Sequence, residues 1–338
     1  MVSFRLGGED GVAIEAAKWA RALGRLGWTV RTVAGAGPVD TVLPGLAMHA
    51  AEPPTRTEVD GALADADLVI VENLCSLPLN RRASALLAAA CAGRPTLLHH
   101  HDLPWQRPHL AHLPPPPDDK AWAHVTINEL SRTQLATRGI TATTVYNAFE
   151  PDPVPGDGTR VRAALGVRDS TPLLLQPTRA LARKNIAGAI NLAEAVDATY
   201  WLLGPAEDGY GPELERLVAR ARCRVVLGVP VGGCSIADAY AACSAVLLPS
   251  FWEGFGNPSV ESATYRRPLA IGRYPVATEL AAFGFDWFDA DDPAPLAHWL
   301  DDPDAHLLAR NHEVAAQHFN LGDLPARLSG VLRRVPGL

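Results

Sequence analysis

The chain reads as an α/β protein made of two doubly wound, Rossmann-like domains facing a central cleft. Three observations predict this. Short apolar strand runs alternate with segments of helical spacing along the whole chain, the order that builds a parallel sheet covered by helices. A stretch rich in proline and glycine, Glu150 to Gly158, interrupts the alternation, and the pattern then restarts. The length of 338 residues suits two domains, and 48% apolar residues suffice for two cores.

In chain order, a first strand ends near Phe4, and Leu6-Gly7-Gly8-Glu9-Asp10-Gly11 is a glycine-bearing loop. Val12 to Leu26 has helical spacing, marked by Ile14, Ala17, Leu23 and Leu26, and Gly27 stops it. Trp28 to Val33 is predicted as the next strand. Leu68 to Val71 is a continuous apolar run, as in a strand buried on both faces. Ser84 to Cys91 is predicted helical; Arg94 to His99, Val125 to Ile127 and Thr143 to Tyr146 are predicted strands. After the 150–158 break, read as a linker, strands are predicted at Leu173 to Leu175, Thr199 to Leu203, Arg224 to Leu227, Ala245 to Leu248 and Pro268 to Ile271. The helices between them are Asn185 to Val196, Pro212 to Ala221, Ile236 to Cys243 and Pro258 to Tyr265. Ala305 to Phe319 and Leu324 to Val335 are terminal helices. The domains are therefore expected at 1–150 and 159–322, with a helix at about 323–338 crossing back to the first.

Composition narrows the function. A net charge of -7 and a pI near 5.9 disfavour a general nucleic-acid binder, so no nucleic-acid partner is expected. The five cysteines are odd in number and lack C-x-x-C spacing, which disfavours a disulfide framework or zinc ribbon and suits reduced thiols in a cytoplasmic protein. No apolar run approaches the roughly 20 residues of a transmembrane helix, and the start lacks the apolar core of a signal peptide. The first strand begins abruptly, so a few residues are expected to precede Met1 in the natural chain. High Ala, Arg and Pro usage suits a GC-rich bacterial genome. No G-x-G-x-x-G is present, which disfavours a nicotinamide enzyme.

Ligands of such folds sit beyond the carboxyl ends of the strands. The segment Pro249 to Glu261 follows the strand Ala245 to Leu248. Asn257 is expected to cap the next helix, with Pro258 at its first position. Gly254 and Gly256 would let backbone approach a ligand, with Phe255 between them, and Glu253 and Glu261 could accept hydroxyls of a sugar and a ribose. The plainer alternative is a solvated Glu253, with Glu261 favouring the helix dipole. After the strand Leu173 to Leu175, Arg179 and Lys184 would neutralise a diphosphate, whereas Arg183 could face solvent. Of His99-His100-His101, neighbours on an extended strand point to opposite faces, so the three cannot share one metal ion. His101 and Asp102 offer hydrogen bonds and Trp105 a stacking face. Pro114 to Pro117 reads as a stiff loop. Ser259, Arg273, Tyr274 and Glu279 are further ligand-side candidates.

These residues resemble retaining glycosyltransferases of the GT-B fold, family 4 (glycosyl transferases group 1). Glu253 and Glu261, with Gly-Phe-Gly between, are similar to its E-x7-E signature. Arg179 to Asn185 is similar to its R-x4-K-N loop, and Val145 to Phe149 to its v-x-N-G-v segment, with Ala148 in place of the glycine. Gly7-Gly8 with Gly11-Val12 looks like its first glycine loop, and His101-Asp102 like its His-Asp pair. The resemblance implies transfer, with retention, of a sugar from a UDP-, GDP- or similar donor to a hydroxyl acceptor. It implies no metal and no other cofactor. It implies donor binding by Gly8, Arg179, Lys184, Glu253, Gly254, Phe255, Gly256, Asn257 and Glu261, catalysis by His101, Arg179, Lys184 and Glu253, and acceptor binding by Gly7, Asp102 and Trp105. A sugar-nucleotide epimerase on the same fold is the alternative. Donor base, sugar, acceptor and oligomeric state are not legible.

Overall fold

A computed structural model of the chain describes residues 1–8 and 10–338; Glu9 of the expected glycine loop lies outside the described residues. By contacts the chain divides into two compact units. Unit 1 is Met1–Ala148 with Leu321–Leu338, and unit 2 is Phe149–Asn320.

Among the described residues, unit 1 holds seven strands: β1 Val2–Ser3, β2 Val33–Ala34, β3 Thr41–Val42, β4 Val69–Glu72, β5 Thr96–His100, β6 Trp122–Thr126 and β7 Ala142–Thr144. They form one parallel sheet in the order β3-β2-β1-β4-β5-β6-β7. Unit 2 holds β8 Leu173–Gln176, β9 Thr199–Leu202, β10 Val225–Leu227, β11 Ala245–Leu248, β12 Leu269–Ile271 and β13 Phe288–Asp289, in the parallel order β10-β9-β8-β11-β12-β13. Each sheet winds outward both ways from its first strand, so the crevices at β1/β4 and at β8/β11 are switch points where ligands of this architecture bind. This is the doubly wound α/β arrangement the alternation predicts.

The continuous apolar runs are the buried central strands: β4, β8, β9 and β11 are buried throughout. The core of unit 1 on one sheet face joins Trp19 and Leu23 of the helix Gly11–Arg25 to Leu324, Leu328 and Val331 of the helix Leu324–Leu332. That last helix thus completes unit 1, from the far end of the chain.

Several local expectations need correction. The strand expected over Trp28 to Val33 is confined to Val33–Ala34, because Thr32 gives its N–H to the Asp40 carboxylate (2.7 Å). The 150–158 stretch is not a free linker. It belongs to unit 2, where a Cβ on Gly156 would stand 2.2 Å from the backbone of Ala237. Helices at Arg56–Leu63, Glu129–Ala136, Gly158–Leu165, Pro275–Ala281 and Pro293–Asp301 had no prediction. Cys75, Cys91 and Cys243 are buried and their thiols pushed up to about 12, 11 and 12 by burial, but Cys223 and Cys234 are partly exposed. No helix among the described residues is long and apolar enough to cross a membrane.

Candidate active site

In unit 2, the loops after β8 and β11 meet at the switch point. The chain leaves β8 and makes a tight turn at Ala182–Lys184, after which Asn185 takes a left-handed conformation (φ 51°). The Asn185 side chain caps the helix Ile186–Ala195 by accepting from Gly188 N–H (3.0 Å), and donates to the Pro249 carbonyl (3.1 Å). Phe251 N–H donates to the Arg183 carbonyl (2.9 Å). The two loops are thereby tied backbone to backbone.

Their side chains converge on Glu253, which is 5% exposed. Its Oε1 accepts from Lys184 Nζ (2.5 Å) and Ser250 Oγ (2.6 Å), and its Oε2 accepts from Arg183 Nη1 (2.8 Å). Burial pushes the carboxyl up, but the Lys184 and Arg183 charges outweigh it and hold Glu253 below its ordinary value, hence ionised. Burial also lowers Lys184, against the pull of Glu253. A carboxylate has roughly four acceptor positions. Three are filled, which leaves one for a ligand hydroxyl. The solvated Glu253 is therefore excluded, and Arg183, expected to face solvent, is a partner of Glu253.

Arg179 stands apart from this knot, with Nη1 donating to Glu207 (2.5 Å). A guanidinium has five N–H donors, so others remain. A Cβ on Gly204 would lie 2.8 Å from the Arg179 backbone; glycine there lets the two loops touch. Glu261 accepts from the Tyr240 hydroxyl (3.0 Å), and Tyr240 stacks on Tyr265.

Three expectations on the Glu253–Glu261 loop change. Asn257 is helical (φ -44°, ψ -40°) and its side chain does not cap the helix Pro258–Thr264. Phe255 is 3% exposed and packs between Phe149 and Phe319, so its ring belongs to the core and only its backbone is suited to a ligand. Gly256 is required by its own conformation (φ 85°) and by Tyr274, whose hydroxyl would stand 2.6 Å from a Cβ. Tyr274 is thus buried, with its hydroxyl beside Gly256. Its hydroxyl, Ser259 Oγ and Trp252 Nε1 find no hydrogen-bond partner among the described residues. Gly254 is half-buried beside Glu253, Glu279 is half-buried on Pro275–Ala281, and Arg273 pairs with Asp289.

In unit 1, Gly7 has φ 73°, and its missing Cβ would collide with the Pro38 ring (2.5 Å); a Cβ on Gly8 would meet only Asp10 Oδ2 at 3.7 Å. Asp10 caps the helix Gly11–Arg25. Glycine at position 7 is explained by that packing alone. His101 is 5% exposed and bonds Glu72 Oε2 through Nε2 (2.8 Å); His99 bonds the same oxygen through Nδ1 (2.8 Å). The third histidine points the other way: His100 bonds Ser76 and His124. This agrees with the strand alternation, which separates His100 from its neighbours. Asp102, expected to be available to an acceptor, holds Arg107 (2.8 Å) and Asn73 (3.4 Å). Trp105, expected to offer a stacking face, has Arg138 3.7 Å above its ring, and its N–H donates to Gln134 (2.9 Å). Sequence reading passed over Glu72, Ser250, Tyr240 and Glu207. Glu72 alone carried a signal, a carboxylate ending an otherwise apolar strand.

No family model matches the chain. Among curated relatives that do match, two are mannosylglucosylglycerate synthases. The one from Petrotoga mobilis is 24% identical over 276 residues, covering 66% of this chain and 64% of that protein. The one from Thermotoga maritima is 25% identical over 335 residues, covering 81% of this chain and 77% of that protein. The chain thus spans slightly less than two thirds of the Petrotoga relative. Among solved structures, Anabaena Alr3699/HepE in complex with UDP-glucose superposes with a TM-score of 0.75 at 20% identity, over 98% of this chain and 99% of that one. The fold is that of the GT-B glycosyltransferases, with two Rossmann-like units.

Proposed function

We propose that the protein is a metal-independent, retaining glycosyltransferase that moves a sugar from a nucleoside-diphosphate sugar, UDP- or GDP-linked, to a hydroxyl acceptor. The observation that carries this reading is the Glu253 knot at the β8/β11 switch point: an ionised carboxylate, fixed by Lys184, Arg183 and Ser250, with one acceptor position left. The named relatives, both of them synthases of a glycosylated glycerate, and the UDP-glucose complex of the structural neighbour support a sugar-transfer chemistry.

In this reading the remaining N–H donors of Lys184 and Arg179 receive the diphosphate, and backbone of Gly254 to Asn257 approaches the donor. Glu253 accepts a donor sugar hydroxyl and Glu261 a ribose hydroxyl. His101 provides a further polar contact; an acceptor role for Asp102 and Trp105 requires the acceptor to displace Arg107 or Arg138 from them. The bond from the anomeric carbon to the phosphate oxygen breaks, with its electron pair leaving on the diphosphate. The new bond forms from the acceptor oxygen on the same face, and the acceptor proton passes to the departing phosphate. Cations near that oxygen stabilise the charge as it develops.

The test is a donor panel of UDP- and GDP-sugars with glycerate and polyol acceptors, run with and without EDTA, with the product's anomeric configuration read by NMR coupling. Retained configuration and EDTA-insensitive turnover are expected. Inversion, or activity lost with EDTA and restored by a divalent ion, overturns the corresponding part of the proposal.

A further inference from the structure

Unit 1 carries a buried ionic cluster that the transfer chemistry above does not use. Glu72 ends β4 in direct register with His99 of β5. It is fully buried, its Oε2 accepts from both His99 and His101, and its Oε1 has no partner among the described residues. The strand alternation that turns His100 away places residues 99 and 101 on one side. Trp19 stacks on His99 (centroids 4.0 Å apart), and the rings of His99 and His101 lie 4.2 Å apart. The backbone of His101 is pinned as well, since its N–H and that of Asp102 both donate to Asn73 Oδ1 (3.2 and 3.1 Å), and Asn73 holds a left-handed conformation (φ 60°). Nearby, Glu15 and Lys18 pair with each other on the helix Gly11–Arg25.

A neutral imidazole has one N–H donor and one acceptor nitrogen, and the hydrogen bond at one fixes the other. A carboxylate can only accept. His101 must therefore carry its proton on Nε2, facing Glu72, and Nδ1 must be its acceptor nitrogen. Nδ1 has no bond to a described residue. Both histidine donors converge on one carboxylate oxygen at ordinary hydrogen-bond distance. Both bonds form between protein groups alone, although Glu72, His99 and His101 present three ligand atoms within 4.8 Å of one another, and Glu72 Oε1 and His99 Nε2 have no partner among the described residues.

We propose that Glu72 is a positioning residue for the transfer reaction: it locks His101 in the Nε2–H tautomer so that Nδ1 is the atom that accepts a hydroxyl from the bound sugar substrate. This rests on His101 being a site residue, as proposed above. Carboxylates that orient metal-binding histidines contribute about 10–100-fold to their function, and an effect of the same order is expected for this pair.

The test combines 15N-edited NMR of the histidine side chains with steady-state kinetics on the full chain. In the wild type, His101 is expected as the Nε2–H tautomer. Glu72→Met, which removes the acceptor but keeps the volume, is expected to mix the tautomers and lower kcat about 10–100-fold, with KM for the donor unchanged within about twofold. Glu72→Gln, which restores an acceptor oxygen, is expected to recover part of both. A wild-type Nδ1–H tautomer overturns the proposal even if E72M fails to fold, and so does an E72M variant with wild-type tautomer and kcat. Stoichiometric zinc shifting the His99 and His101 nitrogens of the wild type would make the triad a metal site and overturn it too. An unchanged kcat in His101→Ala, with the wild-type tautomer still Nε2–H, sinks the reading of His101 as a site residue and leaves the Glu72–His101 geometry standing.

Discussion

Glu253 is a charged side chain where the solvent would ordinarily be excluded, and its neighbours explain why it stays there. Lys184, Arg183 and Ser250 replace the water it loses, and each sits on a loop fixed by backbone bonds. A buried pair of this kind adds little over apolar packing, but removing one member leaves the other charge uncompensated. Replacing Lys184 with Met is therefore expected to destabilise unit 2 by about 3 kcal/mol, near the low end because Arg183 and Ser250 remain. This corresponds to a melting temperature lower by roughly 6–12 °C, read by calorimetry. Glu253→Gln with Lys184→Met should recover part of the loss; a double variant less stable than the single one would contradict the pairing argument.

At the scale of elements, β5 and β6 carry a second polar chain on the face away from Glu72. Asp118 accepts from His124 Nε2 (3.0 Å), His124 Nδ1 meets His100 Nε2 (2.9 Å), and His100 Nδ1 meets Ser76 Oγ (2.7 Å). A carboxylate at one end sets every donor direction: His124 donates to Asp118, His100 to His124, Ser76 to His100. Each histidine is then neutral. Burial lowers His99 and His124, and takes His100 well below 6.5. In the unfolded chain these rings protonate near 6.5, so as pH falls the unfolded state binds more protons than the folded one. Stability that is full above about pH 7.5 is expected to fall as pH drops below about 6.5, by up to about 1.4 kcal/mol per pH unit for each such ring. Glu72, depressed to about 2 mainly by His99 against the cost of burial, acts in a lower window, with stability lost from about 4.5 down towards 2. Denaturant titrations between pH 7.5 and 5 check the first window, and His100→Gln should flatten it. An unchanged slope would reject the assignment of these rings as the titrating groups.

At the scale of the molecule, the chain closes unit 1 with its last residues. Leu324, Leu328 and Val331 pack with Trp19 and Leu23, while Phe149–Asn320 forms a compact unit of its own. Leu328→Ala is expected to cost unit 1 about 2–5 kcal/mol. In calorimetry this should move the transition of unit 1 and leave that of unit 2, identified as the one that Lys184→Met shifts, in place. A shift of both transitions by the same amount would show that the two units unfold as one.

What the sequence determines by itself is the order of the parts. Runs such as Leu68 to Val71 and Ala245 to Leu248 are apolar throughout, the pattern of a strand buried on both faces, and the helices between them follow from spacing. The same reading finds the loops that follow strands, and with them Arg179, Lys184, Glu253 and Glu261. Short edge elements such as β3 and β13 escape it, because two residues carry no period. Tertiary structure decides which side chain meets which. It brings Arg183 to Glu253 across 70 positions, turns Phe255 into the core, covers Trp105 with Arg138, and sets Glu72 beside two histidines 27 and 29 residues away. Those pairings are fixed by strand register and by loop-to-loop hydrogen bonds, which depend on distances in space that a local pattern does not encode.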